Sequence, residues 1–207
     1  MKKTIITLFL LGIIAGLVYW LYSLFAVTVG FEQSLKERQE VVIERLKDIR
    51  TAQRSYRTKY GRFAGSFEDL IYFVNHDSLQ MTMTIGSYDD SAAVAQGKVQ
   101  SVAYMVAVKD TIFPKGFNIE SIKEIPFSVE ATGSVQIFKM DTTSIKTESS
   151  VTVPVFEAFA SYKSFLGDLD RQELINYRDE RINTLGKDDG LKVGSLTLTN
   201  NEAGNWE

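Results

Sequence analysis

KKTIITLFLLGIIAGLVYWLYSLFAVTVGFEQSLKERQEVVIERLKDIRTAQRSYRTKYGRF, residues 2–63, decides how the rest of this chain reads. Its first part is apolar. No charge occurs between Lys3 and Glu32, and Ile5 to Val29 is relieved only by Thr7, Ser23, Thr28 and small glycines such as Gly12 and Gly16. As a helix this run extends about 37 Å, enough to cross a hydrocarbon core of about 30 Å. A cleavable signal peptide has a shorter apolar region, about 7–15 residues, ending in a small-x-small site, and Ala26-Val27-Thr28 is a poor match. The expectation is an uncleaved anchor over residues 1–30. Tyr19, Trp20 and Tyr22, with Phe25, crowd its C-terminal end, where amphipathic rings favour the headgroup zone. Gly12 and Gly16 form a G-x-x-x-G pattern, a face on which a second helix, including that of another copy, approaches closely.

Helical periodicity continues after Phe31, now with charges. Leu35, Val42, Ile49 and Tyr56 recur every seven residues, and Gln39, Leu46, Gln53 and Tyr60 follow four residues behind each. Both lines share one face, opposite Glu37, Glu40, Glu44, Lys47, Asp48 and Arg54. A coiled-coil dimer and a helix packed on its own domain's sheet both fit this spacing. The glutamines in the seam and the tyrosines at its end favour the second. Residues 31–61 are thus an amphipathic helix, continuous with the anchor except at Gly30 and together roughly 80 Å long. Gly61 is its stop, since glycine takes the left-handed conformation of a C-cap. Leu35, Val42 and Ile49 are named with Gly12 and Gly16 as candidate partner contacts.

Ile49 to Phe63, with Ala52, Gln53, Tyr56, Tyr60, Gly61 and Arg62, followed by Ser66 and Leu70, resembles the helix end of type IV pilins and type II secretion pseudopilins. The resemblance covers about the first 75 residues. It implies an apolar N-terminal helix running into an amphipathic one that packs on a β-sheet, in a structural rather than catalytic subunit. The pilin families carry a peptidase-site glycine before the apolar segment and a glutamate soon after it, and Lys3 to Leu8 supplies neither. The resemblance therefore implies a permanently anchored relative. The chain is also similar to single-pass envelope proteins of Gram-negative bacteria that end like Gly190 to Gly194 and Gly204 to Glu207.

Residues 62–207 read as an α+β domain with an antiparallel sheet and a C-terminal helix. Ser66 caps a short helix to about Asn75. Leu79, Met81, Met83 and Ile85 alternate with polar residues as a half-buried strand closed by Gly86-Ser87. Val99 to Lys109 is nearly all apolar and reads as a central strand. Further strands are expected at Ile122–Phe127, at Ser134–Met140 with Val135 and Ile137 on one face, and at Val151–Ala160. Pro154 sets the last of these at an edge or bulge. Asp141 to Ser150 reads as a loop or weak edge. Asp168 or Asp170 caps a helix to about Leu185 with Leu174, Tyr177, Ile182 and Leu185 inward.

Chemistry is sparse. The chain has 207 residues, no cysteine and one histidine, His76, so thiol catalysis and cysteine-ligated zinc are excluded. Without Lys2 and Lys3 the remainder carries 21 basic against 26 acidic residues, a net of −5, which argues against a nucleic-acid partner. Asp89-Asp90 and Asp188-Asp189 are acidic turns. The second pair is a weak calcium candidate, lacking the Asp-x-Asp-x-Asp-Gly spacing of a dedicated loop. Trp206 is a candidate docking residue. No residue is assigned to catalysis, to a cofactor or to a metal with any stronger claim.

The expectation is a non-enzymatic, pilin-like subunit of a cell-envelope complex, in contact with the bilayer and with protein partners. It would cross the inner membrane once, with its C-terminal domain in the periplasm, because a short basic N-terminal tail stays in the cytoplasm. The alternative is an anchored extracytoplasmic ligand-binding or sensing module, using loops such as Tyr88–Lys98 or Asp141–Ser150.

Overall fold

The computed structural model describes residues 2–85, 100–148 and 150–207. It is an α+β protein led by one unbroken helix, α1 (Lys2–Tyr60), which passes through Gly30 without a break. The chain forms two compact units. The first comprises Met1–Glu44, Ile125–Ile137 and Ala160–Leu191, and the second Arg45–Glu124, Phe138–Phe159 and Lys192–Glu207. Helix α1 contributes to both.

In the second unit, the buried face of α1 is Leu46, Ile49, Ala52 and Gln53, all at 0 % exposure, with Tyr56 nearly so. Helix α1 ends as the sequence predicts. Gly61 takes φ 71° and its N–H donates to Arg57 O at 2.8 Å. Gln53, a polar residue in the apolar seam, fixes the exit. Its Nε2 donates to Ala64 O at 3.0 Å, and its Oε1 accepts from Ala64 N at 2.8 Å. The two bonds satisfy a whole peptide group inside the core and bring Phe63 and Ala64 back against the helix. Helix α2 (Phe67–His76) follows, capped by Ser66 Oγ, and buries Leu70, Phe73 and Val74.

Strands β1 (Ser78–Ile85) and β2 (Gln100–Ala107) pair antiparallel over eight residues. They form a two-stranded ribbon separate from the main sheet. The expected central position of Val99–Lys109 is therefore corrected, because every residue of β2 except half-buried Val106 is exposed. The predicted turn at Gly86-Ser87, the loop Tyr88–Lys98 and the pair Asp89-Asp90 lie outside the described residues. Helix α3 (Val108–Ile112) buries Val108 at the ribbon's root.

The strand expected at Ile122–Phe127 is not present. Ile119–Lys123 is a 3-10 turn capped by the Asn118 side chain, which buries Ile119 and Ile122. The three-stranded sheet has the order β3–β4–β5, with β3 (Lys139–Lys146), β4 (Thr152–Ser161) and β5 (Gly190–Gly194). The stretch read as a loop or weak edge is thus edge strand β3. Strand β4 is central, yet β5 is half its length and ends where Gly194 presses on the Phe156 carbonyl. Pro154 lies past that point, so its missing N–H forfeits no bond to β5.

In the first unit, a left-handed Phe127 leads into helix α4 (Ser128–Thr132), and Ser128 Oγ accepts from Gln136 N at 3.1 Å. Of the strand expected at Ser134–Met140 only Lys139 and Met140 belong to β3; before them Gln136 O accepts from Ile125 N at 2.8 Å and Phe138 N–H donates to Lys123 O at 2.9 Å, and Val135 and Ile137 are exposed. Helix α5 (Tyr162–Leu166) buries Tyr162, Phe165 and Leu166. Its following Gly167 lies so close to the Ala131 carbonyl that a Cβ would stand 2.5 Å from it. Helix α6 (Arg171–Asp179) is capped by Asp170, whose Oδ1 accepts from the amides of Gln172 and Glu173 at 2.9 and 3.0 Å. It continues into a π turn at Glu180–Thr184. Leu174 is buried and Tyr177 half-buried, but Ile182 and Leu185, expected inward, are exposed. The wider π turn shifts the phase of the helix after Asp179, so a 3.6-residue extrapolation fails there.

Candidate membrane anchor and its collar

Helix α1 contains one segment long and apolar enough to cross a membrane, and none of that segment is buried by the protein. Its side chains face outward all round: Ile5, Leu8, Phe9, Leu17 and Val18 are each more than half exposed. A helix apolar on every side gains nothing from water. It is stable only within protein or hydrocarbon. Tyr19, Trp20 and Tyr22 are 74 %, 60 % and 71 % exposed, so their rings are free to meet a headgroup layer. A Cβ added at Gly12 or Gly16 would meet nothing within 4 Å, which leaves that face open.

The exposed apolar run ends in a collar built by the first unit. Thr28 Oγ1 donates to Glu173 Oε1 at 2.8 Å, and buried Phe31 meets the Tyr177 ring edge-on, with centroids 6.4 Å apart. Gln39 Nε2 donates to Tyr177 Oη at 2.8 Å. At the neighbouring position, Arg38 grips Asp168 with two parallel bonds of 2.6 and 2.8 Å and also donates to the Phe165 carbonyl. Its guanidinium stands 5.1 Å from the Phe127 ring centroid. The Arg38 hydrogen bonds hold the Asp168 carboxyl below its ordinary range. A groove of about 390 Å³ opens beside Thr28, Phe31 and half-buried Leu35, walled by Glu173, Asn176 and Tyr177.

Val42 is fully buried within the first unit and Ile49 within the second, so both are packing residues rather than exposed partner contacts. Leu35 is half-buried at the groove. In the second unit, half-buried Trp206 folds back over Gly204 of its own chain. That segment is held from α1 by Arg50, Arg54 and Arg57. Arg50 Nη1 meets Glu207 Oε1 at 2.6 Å, while Arg54 Nε and Arg57 Nη1 reach Glu202 at 3.0 and 2.9 Å. Their spacing places all three on one helix face. Glu207 is held low by its bond with Arg50.

Asp189 is taken by Arg178, through Nε at 2.7 Å and through Nη2, and this pair raises the Arg178 guanidinium further. The carboxylate is thereby an ion-pair partner, and Asp188 beside it also has a partner. Among the described residues no three His, Asp or Glu side chains are grouped to hold a metal ion. His76 stacks on Tyr72 with centroids 4.5 Å apart and its Nδ1 lies 3.1 Å from the Tyr72 carbonyl, a helix-end contact. Tyr60 Oη donates to Asp77 Oδ2 at 2.5 Å, and this bond pushes the phenol up to about 12 and the carboxyl down. Sequence reasoning missed a cleft of about 210 Å³ where β4 outruns β5, edged by Arg57, Ser195, Asn200 and Glu202.

Neither a family model, nor a curated protein, nor a solved structure matches this chain.

Proposed function

We propose that this protein is a non-enzymatic, single-pass membrane protein that serves as a structural or assembly subunit of a cell-envelope complex. The observation that carries the reading is the continuity of α1. From Thr4 to Val27 the helix is predominantly apolar and none of its described side chains is buried; it then becomes a core element of folded protein with no break in the helix. A removable targeting segment has no need of such continuity, whereas an anchor that must position its cargo does. Lys2 and Lys3, directly before the apolar run, favour the cytoplasm for that side of the span, with the chain after Val29 in the periplasm. Arg38 and Arg45, which lie beyond the span, are engaged by Asp168 and by Ser121 respectively. The pilin-like exit at Tyr60 to Phe63 fits a subunit that acts by contact.

The test is a pull-down of the intact protein from solubilised membranes, with partners identified by mass. Reproducible co-purification of envelope proteins supports the reading, and recovery of the chain always alone counts against it. A second reading, a ligand-binding module, draws on the cleft beside Arg57 and Ser195. A ligand-dependent rise in melting temperature without any partner would favour it.

A further inference from the structure

Strand β5 is the edge of its sheet, and its outer side is closed by the chain's own residues 203–205. Gly194 N–H donates to Ala203 O at 3.0 Å and Asn205 N–H to Lys192 O at 3.1 Å, with one antiparallel bridge, Val193 to Gly204, between them. The Asn205 side chain takes a third group, since its Oδ1 accepts from Lys192 N at 3.1 Å. Of residues 201–207 only Gly204 is buried. Charge, more than core packing, therefore holds this cover to α1, through the carboxylates of Glu202 and Glu207 and the row Arg50, Arg54 and Arg57. Arg54 Nη2 also donates to Asn201 O at 2.9 Å. To reach the edge the chain reverses through Asn201 and Glu202, both left-handed, at φ 52° and 55°. Neither is glycine, and a residue with a side chain is strained in that conformation.

We propose that residues 201–207 are a displaceable cover, and that the edge of β5 beneath them receives an extended acidic segment of a partner protein by strand addition. The cover itself specifies the occupant. It shows that this edge accepts an extended backbone, and that the arginine row accepts two carboxylates, those of Glu202 and Glu207. An incoming strand makes the same bonds without the left-handed reversal, so it replaces a strained cover by a relaxed one. Ion pairs near the surface are individually weak, so a cover held chiefly by them opens locally more readily than the β3–β4 ladder. Uncovered, the edge offers outward backbone groups beside three guanidinium groups, which select an acidic strand over a basic one. The inference rests on the subunit reading above and gives that subunit a contact of stated chemistry.

Glu202→Gln combined with Glu207→Gln loosens the cover without altering the edge or the arginines. The full chain in detergent is titrated with a fluorescein-labelled peptide of residues 201–207, and with the same peptide carrying Gln at both glutamates. The acidic peptide should bind the double variant about tenfold more tightly than it binds the parent, and about tenfold more tightly than the glutamine peptide does. Raising salt from about 0.05 to about 0.5 M should weaken that binding. Amide exchange supplies a readout in the unaltered chain, where Gly194 and Asn205 should exchange at least about tenfold faster than the β3–β4 ladder. Should the ladder lose protection in the double variant, Glu207→Gln alone, at an exposed side chain, replaces it. No binding of the acidic peptide with the ladder intact, equal binding of the two peptides, or Gly194 and Asn205 amides as slow as the ladder overturns the proposal. Dimerisation of the variant that excludes the peptide overturns it in favour of exchange of the cover between copies. None of these readouts needs an envelope complex, so their failure is separable from a failed pull-down.

Discussion

Replacing Gln53 by alanine removes a side chain that is fully buried yet joined to both polar groups of Ala64. Ala64 is itself 1 % exposed, so neither its N–H nor its carbonyl gains water in exchange. A buried group left without a partner costs about 1–3 kcal/mol, so the pair together with the cavity sets the loss at about 2–5 kcal/mol. Gln53→Glu sharpens the argument. A carboxylate still accepts from Ala64 N–H but cannot donate to a carbonyl oxygen 3.0 Å from the native amide nitrogen. Burial raises the folded pKa of that glutamate above its unfolded value of about 4.3. The variant is therefore most stable at low pH, where the protonated acid donates, and weakens as pH rises through the folded pKa. Urea denaturation of the detergent-solubilised full chain, at pH 4 and pH 7, reads both effects. Gln33→Ala, at an exposed glutamine of the same helix, should stay within about 0.5 kcal/mol of the parent. A Gln53→Ala variant as stable as Gln33→Ala, or a Gln53→Glu variant indifferent to pH, would refute the reasoning.

Two further predictions concern shifted ionisations. Asp168 is held low by Arg38, so the pair contributes stability above the ordinary carboxyl value near 4 and loses it as pH falls through the folded pKa. Asp168→Asn should lower stability at pH 7 by about 1 kcal/mol, given a bidentate but partly solvated pair, and by much less at pH 3, as read by chemical denaturation. Tyr60 should ionise about two decades later than an ordinary tyrosine, near pH 12. Ultraviolet titration of the parent against Tyr60→Phe isolates that step, and Asp77→Asn should return it towards pH 10.

What was legible in the sequence is what is decided locally. The apolar run, the seven-residue recurrence from Leu35 to Tyr56, the stop at Gly61 and the caps at Ser66 and Asp170 all depend on neighbours within a few residues, and each stands where expected. Strand β1 was legible as a strand, but alternation states that two faces differ, not what covers either one. That is why β2, apolar enough for a sheet centre, is exposed. The alternation of Val135 and Ile137 misled for the same reason: the backbone around them bonds to Lys123 and Ile125, yet both side chains are exposed. Gln53 read as a flaw in a seam because its partner, eleven residues on, is a backbone group that no side-chain pattern records. Asp189 read as a metal candidate because Arg178, also eleven residues away, neutralises it only after the chain turns back. The fate of each polar group was decided by a partner outside the window in which its sequence is read.

The account stands or falls on whether α1 remains whole and within a bilayer. The most direct measurement is the intact mass of the protein recovered from alkaline-carbonate-washed membranes. The account predicts the entire 23.3 kDa chain in the washed membrane fraction. Recovery in the wash, or as a shorter chain that begins after Val27, would contradict it.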